Sequence, residues 1–205
     1  MGGWTGPVQV VAVTKTHGPE AVRAAAAAGI KAVGENRVQE ALEKQAACAD
    51  VAIEWHLIGS LQRNKARQVA GRFALIHSVD RLDLAEEISR RTPDQGSQAI
   101  LVQVNCSDEP QKGGVEADGL EALLAGIQSL PRILVRGLMT MAELSDDESV
   151  QRRAFAKLRS LRDAMAPRGY QLPELSMGMS GDFAVAVEEG ATIVRLGTLL
   201  FGGRT

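Results

Sequence analysis

The chain alternates from end to end between short aliphatic, β-branched runs and longer helix-type runs, and it does so eight times. The β-type runs cover residues 8–14, 31–34, 53–59, 75–79, 99–105, 133–139, 173–178 and 191–197. Several of them, VQVVAVT at 8–14 and AILVQVN at 99–105 among them, are apolar almost throughout. A strand reads that way when both of its faces are buried, as in a parallel sheet covered by helices. The helix-type runs carry their own punctuation. Pro19 follows Gly18 at a helix start and Gly29 closes the same run, and helices are also expected at 35–47, 62–70 and 181–189. Asp80 is expected to cap a helix striped by Leu82, Ala85 and Ile88, and the acidic stretch 145–148 one striped by Val150, Ala154, Leu158, Leu161 and Met165. Strict βα alternation demands a parallel sheet. Eight units predict that the sheet closes as a (β/α)8 TIM barrel, and the missing GxGxxG after the first strand argues against an open dinucleotide-binding sheet.

Composition narrows the class further. The 205 residues suit one domain spanning 1–205, with no linker to divide it. Aromatics are only 3%, so Ala, Val, Leu and Ile must fill the core. A net charge of −2 gives no electrostatic case for nucleic acid or an anionic membrane as partner. Cys48 and Cys106 form no CxxC or Cys/His spacing, so neither a disulfide framework nor a metal site is expected. No signal-peptide pattern and no run of ~20 apolar residues occurs, and the cytoplasm is the expected location.

In such a barrel the chemistry belongs at the carboxyl ends of the strands. Lys15 ends the first apolar run, where partial desolvation favours the neutral, nucleophilic amine; a solvated strand-end lysine fits the pattern too. The stretch LSMGMSGD runs from a strand into a Gly/Ser loop, with Ser176 near its start and Ser180 expected to cap the next helix and offer free N–H groups to an anion. Gly197 and Thr198 end the last strand, and the loops after strands seven and eight are where barrels often hold phosphate. Arg195 sits inside an otherwise apolar run and needs a partner there, structural or ligand. Asn36 and Ser78 also fall at strand ends, and His56 lies mid-strand as either a core histidine or a contact. The basic helix carrying Arg63, Lys65, Arg67 and Arg72 reads as a solvated face, or at most as a docking or anion surface.

VAVTKTHGPEAVRAAAAAGIKAVGENRVQEALEK, WHLIGSLQRNK, HSVDRLDLAEEI, VQVN, RGLMTM, LSMGMSGDF and VRLGTLLFG follow in the order of the YggS/PROSC family, which the chain resembles from Val8 to Arg204. The resemblance implies the barrel of the alanine racemase N-terminal domain, with pyridoxal 5′-phosphate (PLP) bound in the fold type III manner. It implies a Schiff base on Lys15, phosphate contacts from Ser176, Ser180, Gly197 and Thr198, and Arg195 facing the pyridine nitrogen. Asn36, Ser78 and His56 are further implied cofactor contacts. The implied role is PLP homeostasis and amino-acid metabolism with little or no catalysis. PLP itself and PLP-dependent apoenzymes are the implied partners, and the expected state is a monomer, with a weak dimer as the alternative.

Three departures from the family stand out. Only seven residues precede Val8, where members begin with a helix of about five turns. Thr14 stands where Ser is commoner, and no β domain with a second acid/base follows Thr205. A single-domain racemase remains a rival reading, as does a cofactor-free barrel enzyme acting on a phosphorylated metabolite. A racemase needs a proton donor or acceptor on each face of the substrate carbon, and Lys15 is the one clear candidate in the sequence.

Overall fold

The computed structural model describes residues 6–107, 109 and 112–203. Eight strands pair in chain order, all parallel: β1 (Gln9–Val13), β2 (Ala32–Glu35), β3 (Glu54–Leu57), β4 (Leu75–Val79), β5 (Gln98–Gln103), β6 (Ile133–Met139), β7 (Glu174–Ser176) and β8 (Ile193–Leu196). β8 pairs back onto β1, with Val11 opposite Arg195, and closes the barrel. Helices α1 (Pro19–Ala27), α2 (Val38–Ala47), α3 (Ala66–Val69), α4 (Leu82–Arg91), α5 (Leu120–Gln128), α6 (Glu148–Met165), α7 (Phe183–Glu188) and α8 (Thr198–Phe201) each follow one strand. The eightfold alternation of the sequence is therefore a closed barrel of eight βα units.

The strand period of two sorts side chains into two compartments. Val11, Ala32, Leu75, Leu101, Met139 and Ile193 form one buried cluster inside the barrel. The outward residues meet the helices: Ala12 and Val33 pack with Val22, Ala25 and Cys48, and the larger outer core gathers Ile76, Val102, Leu138 and Val194 with α3 to α7. Two residues farther along the same inward faces stand Val13, His77, Gln103 and Arg195. The interior thus changes from apolar to polar as it approaches the carboxyl ends of the strands.

Local chemistry explains most element boundaries. Pro19 opens α1 and Gly29, at φ +82°, closes it; Gly29 N–H donates to Ala26 O and Ile30 N–H to Ala25 O, a pairing that needs the left-handed backbone glycine adopts freely. Asp147 caps α6 by accepting from Ser149 N–H at 2.8 Å, as the acidic stretch suggested.

Four expectations are corrected. The helix anticipated from residue 35 begins at Val38, because the Glu35 carboxylate is buried and tied to Thr14 and Lys44, which keeps Glu35 in β2. Asp80 does not cap α4; the cap position is Arg81, and Asp80 pairs with the Arg81 guanidinium instead. Leu82 is partly exposed and Leu84 takes its place in the α4 stripe. The run at 62–70 splits into a 3-10 turn over Arg63–Lys65 and the short α3. Residues 1–5, on which much of the expectation about the N-terminal helix falls, lie outside the described residues.

Candidate functional site

A cavity of about 440 Å³ opens at the carboxyl ends of the strands, within the usual size of small-molecule sites. Lys15, Asn36, Ser180, Arg195, Gly197 and Thr198 all line it. His56, Ser78 and Ser176 do not line it. The Ser78 hydroxyl donates to Gly59 O at 2.7 Å, while His56 and Ser176 lie beneath the floor, 2% and 0% exposed. The basic residues of the helix after β3 are absent from the lining as well.

Lys15 leaves β1 just beyond the buried Thr14. Its amine makes no hydrogen bond or ion pair among the described residues. The backbone turns sharply next to it. Thr16 has φ +67°, a strained setting for a β-branched residue, and His17 N–H donates to Thr14 O at 3.1 Å. The His17 ring then lies 5.2 Å from that of Phe201, joining the Lys15 turn to α8. Asn36 follows β2 directly; its side chain also has no hydrogen bond among the described residues. Gly59 must be small here, because a Cβ would run into the backbone of Asn36.

The loops after β7 and β8 supply a further group of polar atoms to the cavity. Ser180 Oγ accepts from the backbone N–H groups of Gly197 at 3.1 Å and Leu199 at 3.2 Å. Ser180 was expected to cap the helix that follows it, and this is corrected: the cap position of α7 is Asp182, whose Oδ1 accepts from Met179 N–H. The loop after β7 folds back toward β8, so the serine meets the start of α8 instead. Among the described residues a rotatable hydroxyl is what occupies those two amides, and Thr198, between them in the chain, lines the cavity.

Arg195 forms part of the floor and is 4% exposed. It donates from Nη1 to Ser176 Oγ at 2.6 Å and from Nη2 to Thr140 O at 3.0 Å. Among the described residues no carboxylate pairs with it directly. Burial lowers its pKa to about 10, with the Asp182 carboxylate acting against that, so it stays charged at neutral pH.

Behind the arginine runs a chain of hydrogen bonds. Ser176 Oγ lies 2.9 Å from His77 Nδ1, and His77 Nε2 lies 3.0 Å from His56 Nδ1. Burial pulls His56 down to about 4 and His77 well below its ordinary value, the latter helped by His56 and the Arg195 charge. Both rings are therefore neutral, each with one donor and one acceptor. With Ser176 Oγ accepting from Arg195, one arrangement that satisfies the chain has Ser176 O–H donating to His77 Nδ1 and His77 Nε2–H to His56 Nδ1. His56 Nε2–H then points to Glu54, 3.7 Å away and exposed. The period of two would have placed His77 inside the barrel, but nothing local distinguishes it from an ordinary strand residue.

A second buried cluster lies at the other side of Lys15. Glu35 Oε1 accepts from Thr14 Oγ1 at 2.6 Å and from Lys44 Nζ at 2.7 Å, and Lys44 Nζ also donates to Thr14 O at 2.7 Å. Glu35 is fully buried and its Oε2 has no hydrogen-bond partner among the described residues. Sequence reading missed this cluster, since Glu35 was placed at a helix start and Lys44 was not singled out within the helix expected at 35–47.

The set of groups fits PLP. That molecule needs an amine for its aldehyde, several N–H and O–H donors for a doubly charged phosphate, and a partner for its ring nitrogen. Lys15, Gly197, Thr198, Ser180 and Arg195 are the corresponding groups on one cavity, with the Leu199 amide bonded to Ser180. Burial raises the Cys106 thiol to about 11, and among the described residues no group of three or more His, Cys, Asp or Glu could hold a metal ion.

Comparison with known proteins points the same way. The model of the alanine racemase N-terminal domain matches residues 3–205. A pyridoxal phosphate homeostasis protein of Aquifex aeolicus is 48% identical over 199 residues, covering 96% of this chain and 87% of that protein. One of Pseudomonas aeruginosa is 44% identical over 198 residues, covering 96% and 85%. The structure of PipY from Synechococcus elongatus with PLP bound superposes with a TM-score of 0.88 at 41% identity, covering 95% of this chain and 92% of that one. Alanine racemase from Corynebacterium glutamicum, 18% identical over 97% of this chain and 57% of its own, shares the fold with a TM-score of 0.80. The chain belongs to the alanine racemase N-terminal domain family and, within it, to the pyridoxal phosphate homeostasis proteins.

Proposed function

We propose that this protein binds PLP covalently through Lys15 and serves PLP homeostasis without racemase turnover. The observation that carries the proposal is one cavity with an unpaired lysine amine on one wall and amide donors, covered only by a serine hydroxyl, on another. The PLP-bound relative at 41% identity supports the choice of ligand. When bound, PLP supplies an aldehyde carbon that an amine can capture and a ring that withdraws electrons from attached groups.

The residues of the chain have distinct parts in this reading. Lys15 supplies the amine. Gly197, Thr198, Leu199 and Ser180 hold the phosphate, with the Ser180 hydroxyl turning to donate. Asn36 borders the ring. Arg195 stays charged at the floor and discourages a proton on a ring nitrogen set against it, which weakens the ring as an electron sink. Ser176, His77 and His56 act through Arg195 rather than on the ligand, and Ser78 orients the Gly59 carbonyl. A racemase would need acid/base groups on both faces of the substrate carbon. The titratable lining residues are Lys15, His17 and Arg195; His17 is held against Phe201, and Arg195 is turned into the floor.

The proposal extends to one functional domain, a cytoplasmic monomer that hands PLP to apoenzymes. Among the described residues no helix is long and apolar enough to cross a membrane, which is compatible with that location.

The test begins with adding PLP to the purified protein. A visible absorption band should appear, and borohydride followed by peptide mass spectrometry should find the pyridoxyl group on Lys15. Lys15→Ala should remove both signals. A wild-type protein that stays colourless overturns the reading. Conversion of L-alanine or L-serine to the D-isomer, abolished in Lys15→Ala, would move the assignment to a racemase.

A further inference from the structure

The Glu35–Lys44 ion pair joins β2 to α2 in the interior. Its side chains are 0% and 9% exposed, and its two charged atoms are 2.7 Å apart. A buried pair of this kind contributes little net stability over an apolar equivalent, because the desolvation of both charges offsets their attraction. What it contributes instead is geometry, and here the geometry is specific. Lys44 Nζ binds the carbonyl oxygen of Thr14, which belongs to the same peptide unit as the Lys15 nitrogen. Glu35 binds the Thr14 hydroxyl, and Thr14 N–H donates to Gly34 O. Three bonds thus hold the residue immediately before Lys15, and they come from β2 and α2 rather than from the Lys15 turn itself.

Two further observations point to Lys15 as what is being held. The strained φ of +67° at Thr16, on the other side of Lys15, persists only if the flanking backbone is fixed. The same Glu35 precedes Asn36, so one carboxylate sets the ends of two strands that both feed the cavity. Lys44 is also a second primary amine near the site, and its nitrogen is engaged by two oxygens, Thr14 O and Glu35 Oε1, whereas that of Lys15 has no partner among the described residues.

We infer that Glu35 and Lys44 are positioning residues: their ion pair clamps the Thr14–Lys15 peptide, aims the Lys15 amine into the cavity, and keeps the Lys44 amine out of the chemistry. The inference rests on the reading of Lys15 as the PLP-binding lysine, but its test separates the two.

The first measurement needs no cofactor. Apo-protein is labelled briefly with acetic anhydride, and mass spectrometry gives the ratio of acetylation at Lys15 to that at the exposed Lys31. The double variant Glu35→Gln/Lys44→Met leaves no unpaired charge. It should keep the native circular dichroism spectrum while its Lys15:Lys31 ratio rises at least threefold, as the loosened side chain reaches solvent. The second measurement is the rate of PLP capture by the visible band. It should fall at least tenfold in the double variant, whereas binding of 4′-deoxypyridoxine 5′-phosphate, which lacks the aldehyde, should be unchanged. Thr14→Val should slow capture about threefold and Thr14→Ser should match wild type, which keeps the test available should the double variant misfold. Wild-type labelling ratios and capture rates in a folded double variant, or equal capture by the Thr14→Val and Thr14→Ser proteins, would overturn the inference. Absence of PLP capture by the wild type would instead sink the proposed function, and the labelling ratio would still decide the clamp.

Discussion

Two polar clusters are buried in this barrel, on either side of the cavity, and they solve the same problem in opposite ways. At β1 and β2 the charges of Glu35 and Lys44 cancel at 2.7 Å, and the cluster is knotted into the backbone beside Lys15. At β3, β4, β7 and β8 a single charge, Arg195, is carried without a direct carboxylate partner and is accommodated by neutral groups: a serine hydroxyl, a carbonyl and two histidines that burial keeps unprotonated. The first arrangement fixes the peptide before Lys15, which the inference above reads as holding the nucleophile. The second leaves a positive charge available to whatever enters the cavity. A compensated pair suits anchoring, because its field is spent locally; an uncompensated cation suits acting on a ligand, because its field is not.

The comparison breaks first at Lys44. Lys44→Met alone leaves the fully buried Glu35 carboxylate without its counter-charge, and loss of one partner of such a pair costs about 3–5 kcal/mol. Urea unfolding should show that loss, and adding Glu35→Gln should recover most of it. If the single variant is as stable as wild type, the pair is not the compensated unit described here.

Acid should probe the other cluster. The folded pKa of His56, about 4, lies below the value of 6.5 for a free imidazole. As pH falls, the unfolded chain therefore takes up a proton before the folded one, and the folded state loses stability from about pH 6.5 down to about pH 4. The loss from His56 alone is on the order of 3 kcal/mol, and His77 acts in the same direction. His56→Gln, which bonds without titrating in this range, should flatten the slope of stability against pH between those limits. An unchanged slope would mean that the histidines do not stand as the neutral relay drawn above.

The smallest effect sharpens the contrast by exposure. Arg23 and Asp50 pair at 2.7 Å, the same separation as Lys44 and Glu35, but their side chains are 47% and 68% exposed. Arg23→Gln should leave the urea midpoint unchanged, because water screens the pair in either state. A loss comparable to that of Lys44→Met would show that distance rather than burial governs these pairs.

Much of this molecule is legible in its sequence, and the legible parts share a physical origin. The apolar runs state their burial on both faces, the Pro19 and Gly29 signals bound a helix, and the count of eight alternating units is the barrel. Lys15, Asn36, Ser180, Arg195, Gly197 and Thr198 could be picked out because strand ends in a parallel barrel converge on one mouth, and all six line the cavity. These features depend on neighbours in the chain or on the topology that period two and period 3.6 impose.

Which polar groups meet is a matter of long-range pairing. Thr14 and Glu35 are 21 residues apart, Arg195 and Thr140 55, and His77 and Ser176 99. No local pattern announces such pairs, so Glu35 looked like a helix start, Lys44 drew no notice and Ser180 looked like the cap of the helix after it. Periodicity tells a residue which way to face. Whom it finds there depends on how strands far apart in the chain are brought into register, and that is settled only when the barrel closes.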